Sequence, residues 1–200
     1  MIDNPQKVLE DLKPTKEFFI GIDSDGCVFD TMEIKQKEAF CPTFIKHYKL
    51  QKISKYAREV WEFVNLYSKT RGVNRFKALL RAIELLERRP EVKARGMKFL
   101  DMTAVAEWVN IESKLSNPTL EKYSKEKNDE MINLTLAWSK EVNKIIAELV
   151  FDIPPFPFVK ESLDKMKDKA DLMVVSQTPG EALVREWEEH NIQVYVRVIC

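Results

Sequence analysis

Two aspartates follow the first strongly apolar run of the chain. The run Phe18–Ile22 is uncharged and ends at Asp23, after which Ser24, Asp25 and Gly26 follow. Glycine permits a tight turn, so we expect both carboxylates to face one cavity although they are two residues apart. Crowded carboxylates favour a hard divalent cation such as Mg²⁺, which takes oxygen ligands and neutralises a phosphate group. With such a cation, Asp23 is suited to attack phosphorus and Asp25 to carry protons.

The same acidic turn has two other interpretations. An Asp-rich turn after a strand can be an ordinary solvated loop. A calcium-binding EF-hand loop is excluded, because its glycine stands sixth and a helix precedes it. Here Gly26 stands fourth from Asp23, and a predicted strand precedes the turn. The catalytic interpretation is favoured because a second predicted strand also ends at a polar residue.

Three segments are predicted to form strands of a parallel sheet. The apolar run Phe18–Ile22 is typical of a strand covered on both faces, and so is Leu172–Val175, which ends at Ser176. The segment Gln193–Ile199 is predicted to be a third strand. Helical periodicity before and after the second strand favours an α/β fold, whose ligand sites lie beyond the carboxyl ends of the strands. Asp23 and Ser176 both occupy such ends.

The segment between the first two strands is predicted to be almost entirely helical. Prolines and glycines divide it into about five or six helices, with long amphipathic stretches at 56–67, 75–88 and 131–150. The proline-rich segment 153–157 cannot be a helix interior and marks the return to the first domain. We therefore predict an incomplete Rossmann-like core at 1–30 and 152–200 and a helical cap domain at 31–151.

The acidic turn and its strand resemble the first motif of the haloacid dehalogenase (HAD) superfamily. This resemblance covers Asp23–Thr31, and the segment ending at Ser176 looks like the family's second motif. The helical insertion is similar to the C1-type cap of the subgroup that includes phosphoglycolate phosphatase and β-phosphoglucomutase. The resemblance implies that Asp23 is the nucleophile and Asp25 the acid/base. It also implies that Mg²⁺ lies between Asp23, the main-chain carbonyl of Asp25 and the phosphate. It also implies that the Ser176 hydroxyl holds the transferring phosphoryl group.

Other residues of the two motifs are weaker candidates for phosphate or substrate binding. Gly26 belongs to the acidic turn, and Gln177 follows Ser176. Gln177 is suited to offer a backbone N–H or a polar contact to the substrate, but it is nearly as well suited to be a surface residue. Ser176 is also suited to cap the helix that begins near Pro179.

A charged junction in the insertion is a candidate for substrate binding. The stretch 67–75 joins two predicted helices and combines Gly72 with three cations. A loop of this composition can close over an anionic substrate, so we predict that Lys69 and Arg71 bind it. The alternative is that they belong to an ordinary solvated surface.

The sequence departs from the family pattern on its C-terminal side. Family members continue with a basic residue that stabilises the phosphoryl charge and then with an acidic pair that completes the metal site. The segment that ends at Cys200 stands just before those motifs. We therefore expect the C-terminal part of the core to be missing. The alternatives are that these groups come from elsewhere or that the protein does not turn over.

The amino-acid composition indicates which classes of binding partner are not favoured. Lys and Arg together number 32, as do Asp and Glu, so the formal charge is zero and a nucleic-acid partner is not favoured. The 3 cysteines have no CxxC spacing, which favours a reducing cytoplasm over a disulfide framework. No apolar run has the length of a signal peptide or a membrane span. We expect a small phosphorylated metabolite as partner, and the sequence makes no prediction of oligomeric state.

These observations together predict an Mg²⁺-dependent, HAD-like phosphatase that hydrolyses a phosphate monoester through an aspartyl-phosphate on Asp23. Two alternatives remain open at the level of sequence. One is a phosphotransferase or mutase of the same family, in which a hydroxyl group replaces water as the acceptor. The other is a non-catalytic binding protein that retains the fold.

Overall fold

The chain folds into short parallel strands and many helices. A computed structural model describes residues 10–176, 178 and 180–199. Its strands are β1 (Phe18–Ile22), β2 (Ala170–Val174) and β3 (Val198–Ile199). The α-helices are α1 (Met32–Ile34), α2 (Cys41–His47), α3 (Ser54–Glu62), α4 (Arg75–Arg88), α5 (Pro90–Ala94), α6 (Thr103–Ile111), α7 (Asn117–Lys127), α8 (Glu130–Leu149), α9 (Val159–Met166) and α10 (Gly180–Glu189). Segments Lys35–Phe40 and Phe63–Tyr67 are π-helical, and Gln51–Ile53 and Gln193–Tyr195 are 3₁₀-helical.

The strands form one parallel sheet in the order β1-β2-β3. Ile22 of β1 lies opposite Val174 of β2, and Met173 of β2 lies opposite Val198 of β3. The N–H of Val175 donates to the carbonyl of Ile22 at 2.8 Å, so the pairing continues to the carboxyl ends of β1 and β2. Parallel strands connected through helices confirm the predicted Rossmann-like α/β fold class with a helical insertion after the first strand.

The prediction that β1 is covered on both faces is wrong. Phe18 and Phe19 are 58% and 60% exposed, whereas every residue of β2 is buried. Strand β1 lies at an edge of the described sheet, and only its residues Ile20 and Ile22 join the apolar cluster under the helices. An apolar run shows that a strand can be buried, but it does not show which neighbours cover it.

The third strand is shorter than the predicted segment Gln193–Ile199. Gln193–Tyr195 forms a 3₁₀ turn, and only Val198–Ile199 is a strand. Pairing begins where the N–H of Arg197 donates to the carbonyl of Leu172 at 2.8 Å.

One face of the sheet packs against α9 and α10. Ile22 and Val174 lie in the same buried cluster as Leu163 of α9 and Leu183 and Trp187 of α10. Burial of large apolar side chains is the main stabilising contribution in a small domain. This packing fixes the carboxyl ends of β1 and β2 relative to the start of α10.

The helical insertion has an apolar core of its own. Its three tryptophans, Trp61, Trp108 and Trp138, are at most 1% exposed. The rings of Trp61 and Trp138 lie 6.0 Å apart in an edge-to-face arrangement, and Phe76 packs on Trp108 at 4.9 Å. Their burial makes them core residues and not a surface for stacking ligands.

Contacts within the chain divide it into two units. One comprises the described residues up to Met32 and from Val150 onwards, and the other is Glu33–Leu149. Among the described residues, no helix combines the length and the apolar character that crossing a membrane requires.

Candidate active site

The acidic turn is organised around the backbone of Ser24. Its carbonyl accepts the N–H groups of Cys27, Val28 and Phe29 at 3.3, 2.9 and 3.0 Å. The N–H of Gly26 in turn donates to the carbonyl of Phe29 at 2.7 Å. Gly26 has a φ of +73°, a left-handed conformation that glycine adopts without a steric penalty. The glycine is therefore needed for the shape of this turn.

Contacts from distant parts of the chain anchor the turn. The Ser24 side chain is fully buried, and its hydroxyl accepts the indole N–H of Trp187 at 3.1 Å. On the other side, the N–H of Phe156 donates to the carbonyl of Val28 at 2.8 Å, next to a bridge between Phe29 and Pro155. Both anchors belong to the sheet unit, so the turn is held in place by the same unit that carries β1.

Asp23 occupies the carboxyl end of β1 with its side chain exposed. Its carboxylate Oδ1 accepts the N–H of Ser24 at 2.8 Å. A carboxylate that is accessible at the end of a parallel strand can reach a ligand bound beyond the sheet. The position therefore suits a nucleophile.

Asp25 is half-buried and is held through both carboxylate oxygens. The hydroxyl of Thr31 donates to Oδ1, and the hydroxyl of Thr178 donates to Oδ2 at 2.7 Å. Hydrogen bonds to a charged acceptor are among the stronger ones in proteins. Sequence reasoning missed both threonines. A hydroxyl shortly after an acidic turn is a sequence signal for Thr31, but no sequence signal points to Thr178.

Ser176 lies at the carboxyl end of β2, beside the acidic turn. The pairing of Ile22 with Val175 puts the residues after β1 next to those after β2. The Ser176 hydroxyl accepts the N–H of Thr178 at 3.2 Å. Predicted residue Gln177 lies outside the described residues.

The oxygen atoms suited to a divalent cation are those of the acidic turn. Among the described residues, no group of three or more His, Cys, Asp or Glu side chains is arranged to hold a metal ion. Asp23 offers an exposed carboxylate, whereas both carboxylate oxygens of Asp25 accept hydroxyl groups. Oxygen donors of this kind fit Mg²⁺, which takes few protein ligands and keeps several waters. A site built from Asp23 and the main-chain carbonyl of Asp25 is compatible with these contacts.

The charged junction of the insertion has two exposed cations and a third that packs inside the insertion. Lys69 and Arg71 are exposed, and Gly72 between helices has a φ of +78°. The pKa of Glu33 is lowered mainly by its hydrogen bond with Lys37, and the positive charge of Arg71 contributes to the same effect. The binding of substrate by Lys69 and Arg71 stays a prediction.

The third cation of this junction, Arg75, is engaged by other residues of the insertion. It is therefore less available to a ligand than an exposed cation. Its guanidinium lies 4.9 Å from the centre of the Phe40 ring and donates to Ser139 Oγ and Asn143 Oδ1 at 3.1 and 2.6 Å. Burial lowers the pKa of Arg75 to about 10. These contacts tie the start of α4 to α8, which is a structural role.

Each of the two units has an open cavity. One, of about 560 Å³, is lined by residues of α4 and α6 that include Lys77 and Glu84. The other, of about 440 Å³, is lined by the segment before β1 and by Phe19 and Asp171. Neither is lined by Asp23, Asp25, Gly26 or Ser176. The shared cavity that the sequence predicts for the two carboxylates therefore stays a prediction.

Comparison with known proteins gives little independent information. No protein-family model matches the chain, and no curated protein matches it. A solved structure from Thermotoga maritima, named as a candidate β-phosphoglucomutase, is similar at 15% sequence identity and a TM-score of 0.37. The match covers 91% of this chain, and this chain spans 60% of that structure. We therefore base the fold on the topology of the chain itself and the function on its site.

Proposed function

We propose that this chain carries an Mg²⁺-dependent phosphatase site of the HAD type, with Asp23 as the nucleophile. The supporting observation is the contrast between two carboxylates in one anchored turn. Asp23 is exposed at the end of β1, whereas Asp25 is half-buried and held by two hydroxyl groups. An accessible nucleophile beside an oriented proton carrier is what hydrolysis through an aspartyl-phosphate requires.

The reaction proceeds in two steps on these side chains. First, a carboxylate oxygen of Asp23 attacks the phosphorus, the bond to the ester oxygen breaks, and Asp25 gives its proton to that oxygen so that the alcohol leaves. Second, Asp25 takes a proton from water as the water oxygen attacks the phosphorus. The bond between phosphorus and Asp23 then breaks and phosphate leaves. The Ser176 hydroxyl donates to the phosphoryl group in both steps.

The different environments of Asp23 and Asp25 also determine which of their oxygen atoms we assign to the metal. Bound Mg²⁺ would neutralise the repulsion between Asp23 and the anionic phosphoryl group. We assign to it the carboxylate of Asp23 and the main-chain carbonyl of Asp25. The Asp25 side chain is engaged by Thr31 and Thr178, so we assign that carboxylate to proton transfer and not to the metal.

We further propose a small phosphorylated metabolite as the substrate. The formal charge of the chain is zero, which does not favour a polyanionic partner. Lys69 and Arg71 are exposed and positively charged, so they are suited to bind an anionic group of a small substrate.

The proposal is tested with p-nitrophenyl phosphate, a general phosphatase substrate, in the presence and absence of Mg²⁺. We expect Asp23→Asn to abolish the metal-dependent release of p-nitrophenol, because its amide cannot attack phosphorus. We expect Asp25→Asn to slow it by a factor of about 10² to 10⁴, as for loss of an acid/base. Acid quenching followed by mass spectrometry should find the phosphoryl group on Asp23.

The matched control is Asp30→Asn, which removes an exposed aspartate seven positions after Asp23. This variant should keep the rate of the unchanged protein. Equal rates for Asp23→Asn and the unchanged protein would contradict the proposal and favour a non-catalytic binding protein.

A phosphotransferase would use the same aspartyl-phosphate and pass the phosphoryl group to a hydroxyl instead of water. Product analysis in the presence of glucose or glycerol separates the two activities. We expect inorganic phosphate as the main product, whereas a phosphorylated sugar or polyol would assign the chain to phosphoryl transfer.

A further inference from the structure

Thr178 connects the polar groups at the ends of two strands. Its hydroxyl donates to Asp25 Oδ2 at 2.7 Å, and its N–H donates to the Ser176 hydroxyl at 3.2 Å. Asp25 belongs to the turn after β1 and Ser176 to the segment after β2. Through Thr178, the proposed proton carrier and the proposed phosphoryl-binding hydroxyl are joined by hydrogen bonds.

We propose that Thr178 is a positioning residue, which holds the Asp25 carboxylate in the orientation that proton transfer requires. This role rests on the proposed phosphatase function. Proton transfer needs the carboxyl group within hydrogen-bond reach of the leaving oxygen, and small displacements of a catalytic group reduce the rate strongly. A side chain that fixes Asp25 therefore acts on the rate of the chemical step.

The two hydroxyl bonds to Asp25 have different origins. Thr31 lies 6 residues from Asp25 and holds Oδ1 from the same stretch of chain. Thr178 lies 153 residues away and holds Oδ2 from the far side. With one oxygen held, a carboxylate can still rotate about that contact. With both held from separate segments, its plane is fixed, so Thr178 supplies the restraint that Thr31 alone does not.

A hydroxyl group is well suited to this position. It is neutral, and it can donate to a carboxylate or accept from a carboxylic acid. Thr178 can therefore stay bonded to Asp25 before and after a proton moves. A lysine or arginine at this position could only donate, and its charge would favour one form of Asp25 over the other.

The experiment compares Thr178→Val with Thr178→Ser. Valine keeps the branched shape but removes the hydroxyl, whereas serine keeps the hydroxyl. With p-nitrophenyl phosphate and Mg²⁺, we expect Thr178→Val to lower kcat about tenfold to a hundredfold, the value of one hydrogen bond to a charged group. KM should change little, since Thr178 does not contact the substrate in this proposal. Thr178→Ser should recover most of the loss.

A second measurement reports the bond without turnover. In protein labelled with ¹³C at the aspartate carboxyl carbons, the Asp25 resonance is identified by its loss in Asp25→Asn. We expect this resonance to move in Thr178→Val and to stay near its original position in Thr178→Ser. An unmoved resonance in Thr178→Val, or a kcat equally low in both variants, would overturn the positioning role.

The two measurements separate the inference from the proposed function. A chain without metal-dependent activity, whose Asp25 resonance still moves in Thr178→Val, would refute the phosphatase and the catalytic purpose of the contact. The contact itself would stand. An active chain with normal kcat in Thr178→Val would refute the positioning role and leave the phosphatase intact.

Discussion

At the scale of single residues, the acidic turn gives two identical side chains different environments. Asp23 is exposed and accepts a backbone N–H, whereas Asp25 is half-buried and accepts two hydroxyl groups. Carboxylates in different environments can take the separate roles of nucleophile and acid/base. The difference comes from the anchored backbone around Ser24, because that backbone decides where each side chain points.

Gly26→Ala tests whether the shape of this turn matters. Gly26 has a φ of +73°, and an alanine in the left-handed region costs about 1 to 2 kcal/mol. We expect this loss in the free energy of unfolding, measured by urea denaturation, together with a large loss of phosphatase activity. The activity should fall because the backbone change displaces both Asp23 and Asp25.

Gly96→Ala is the matched control for backbone strain. Gly96 also has a positive φ, of +59°, but it belongs to the helical insertion, after α5. The Gly96→Ala variant should lose a similar amount of its free energy of unfolding. It should keep its phosphatase activity at temperatures where it is folded. Equal losses of activity in the two variants would show that instability, and not the geometry of the turn, is responsible.

The residues of the site differ in how far sequence could identify them. The sequence identifies Asp23, Asp25 and Gly26, because an apolar run, two carboxylates and a glycine stand next to each other. It does not identify Thr178, because the contact of Thr178 with Asp25 spans 153 residues and depends on the parallel pairing of β1 with β2. Local spacing carries no information about such a contact.

At the scale of elements, a helix with its own periodic core face was predicted more accurately than a strand. The predicted helix 75–88 has the same bounds as α4, because its apolar residues keep helical spacing and Asn74 caps its start at the N–H of Phe76. The predicted bounds of strand β1 are those observed, but the prediction that it is covered on both faces is wrong. Whether a strand is buried depends on the elements that pack against it, and the strand's own residues do not specify those elements.

A buried aspartate ties β2 to the segment before β1. The carboxylate of Asp171 accepts the hydroxyl and the N–H of Thr15 at 2.6 and 2.7 Å, and the N–H of Lys16 at 3.2 Å. Arg197, just before β3, lies 2.9 Å from the same carboxylate. The bonds from Thr15, with smaller contributions from Lys16 and Arg197, hold the pKa of Asp171 well below its usual range.

We expect Asp171→Asn to destabilise the sheet unit in a pH-dependent way. Because the pKa is lower in the folded state, the ionised carboxylate stabilises the fold at every pH above its ordinary pKa of about 3.9. That contribution falls as the pH drops from there towards the folded-state pKa. Thermal denaturation should therefore show a large difference in Tm between the variant and the unchanged protein near neutral pH, and a smaller one in acid.

Asp164→Asn is the control for this prediction. Asp164 is exposed on α9 and pairs with Lys167 at 2.6 Å. Exposed ion pairs contribute little to stability, so its Tm should change little at any pH. If the difference in Tm between Asp171→Asn and the unchanged protein does not depend on pH, the stabilising role of the Asp171 charge is contradicted.

At the scale of the whole molecule, the described residues form two separate apolar cores. One lies between the sheet and the helices α9 and α10, and the other lies inside the helical insertion. The division follows from the sequence, since the insertion contains enough amphipathic helices to bury its own apolar faces. Regions with separate cores can open independently, and their local stabilities then differ.

Leu86→Ala and Leu183→Ala test this independence against each other. Both leucines are fully buried, Leu86 in the insertion and Leu183 in the sheet unit. Each change should cost about 2 to 5 kcal/mol, because it removes buried methyl groups and leaves a cavity. Hydrogen exchange followed by mass spectrometry should show faster exchange mainly in Glu33–Leu149 for Leu86→Ala and mainly in the sheet unit for Leu183→Ala. If either variant accelerates exchange equally in both units, the chain opens as one cooperative body and its two cores are not energetically independent.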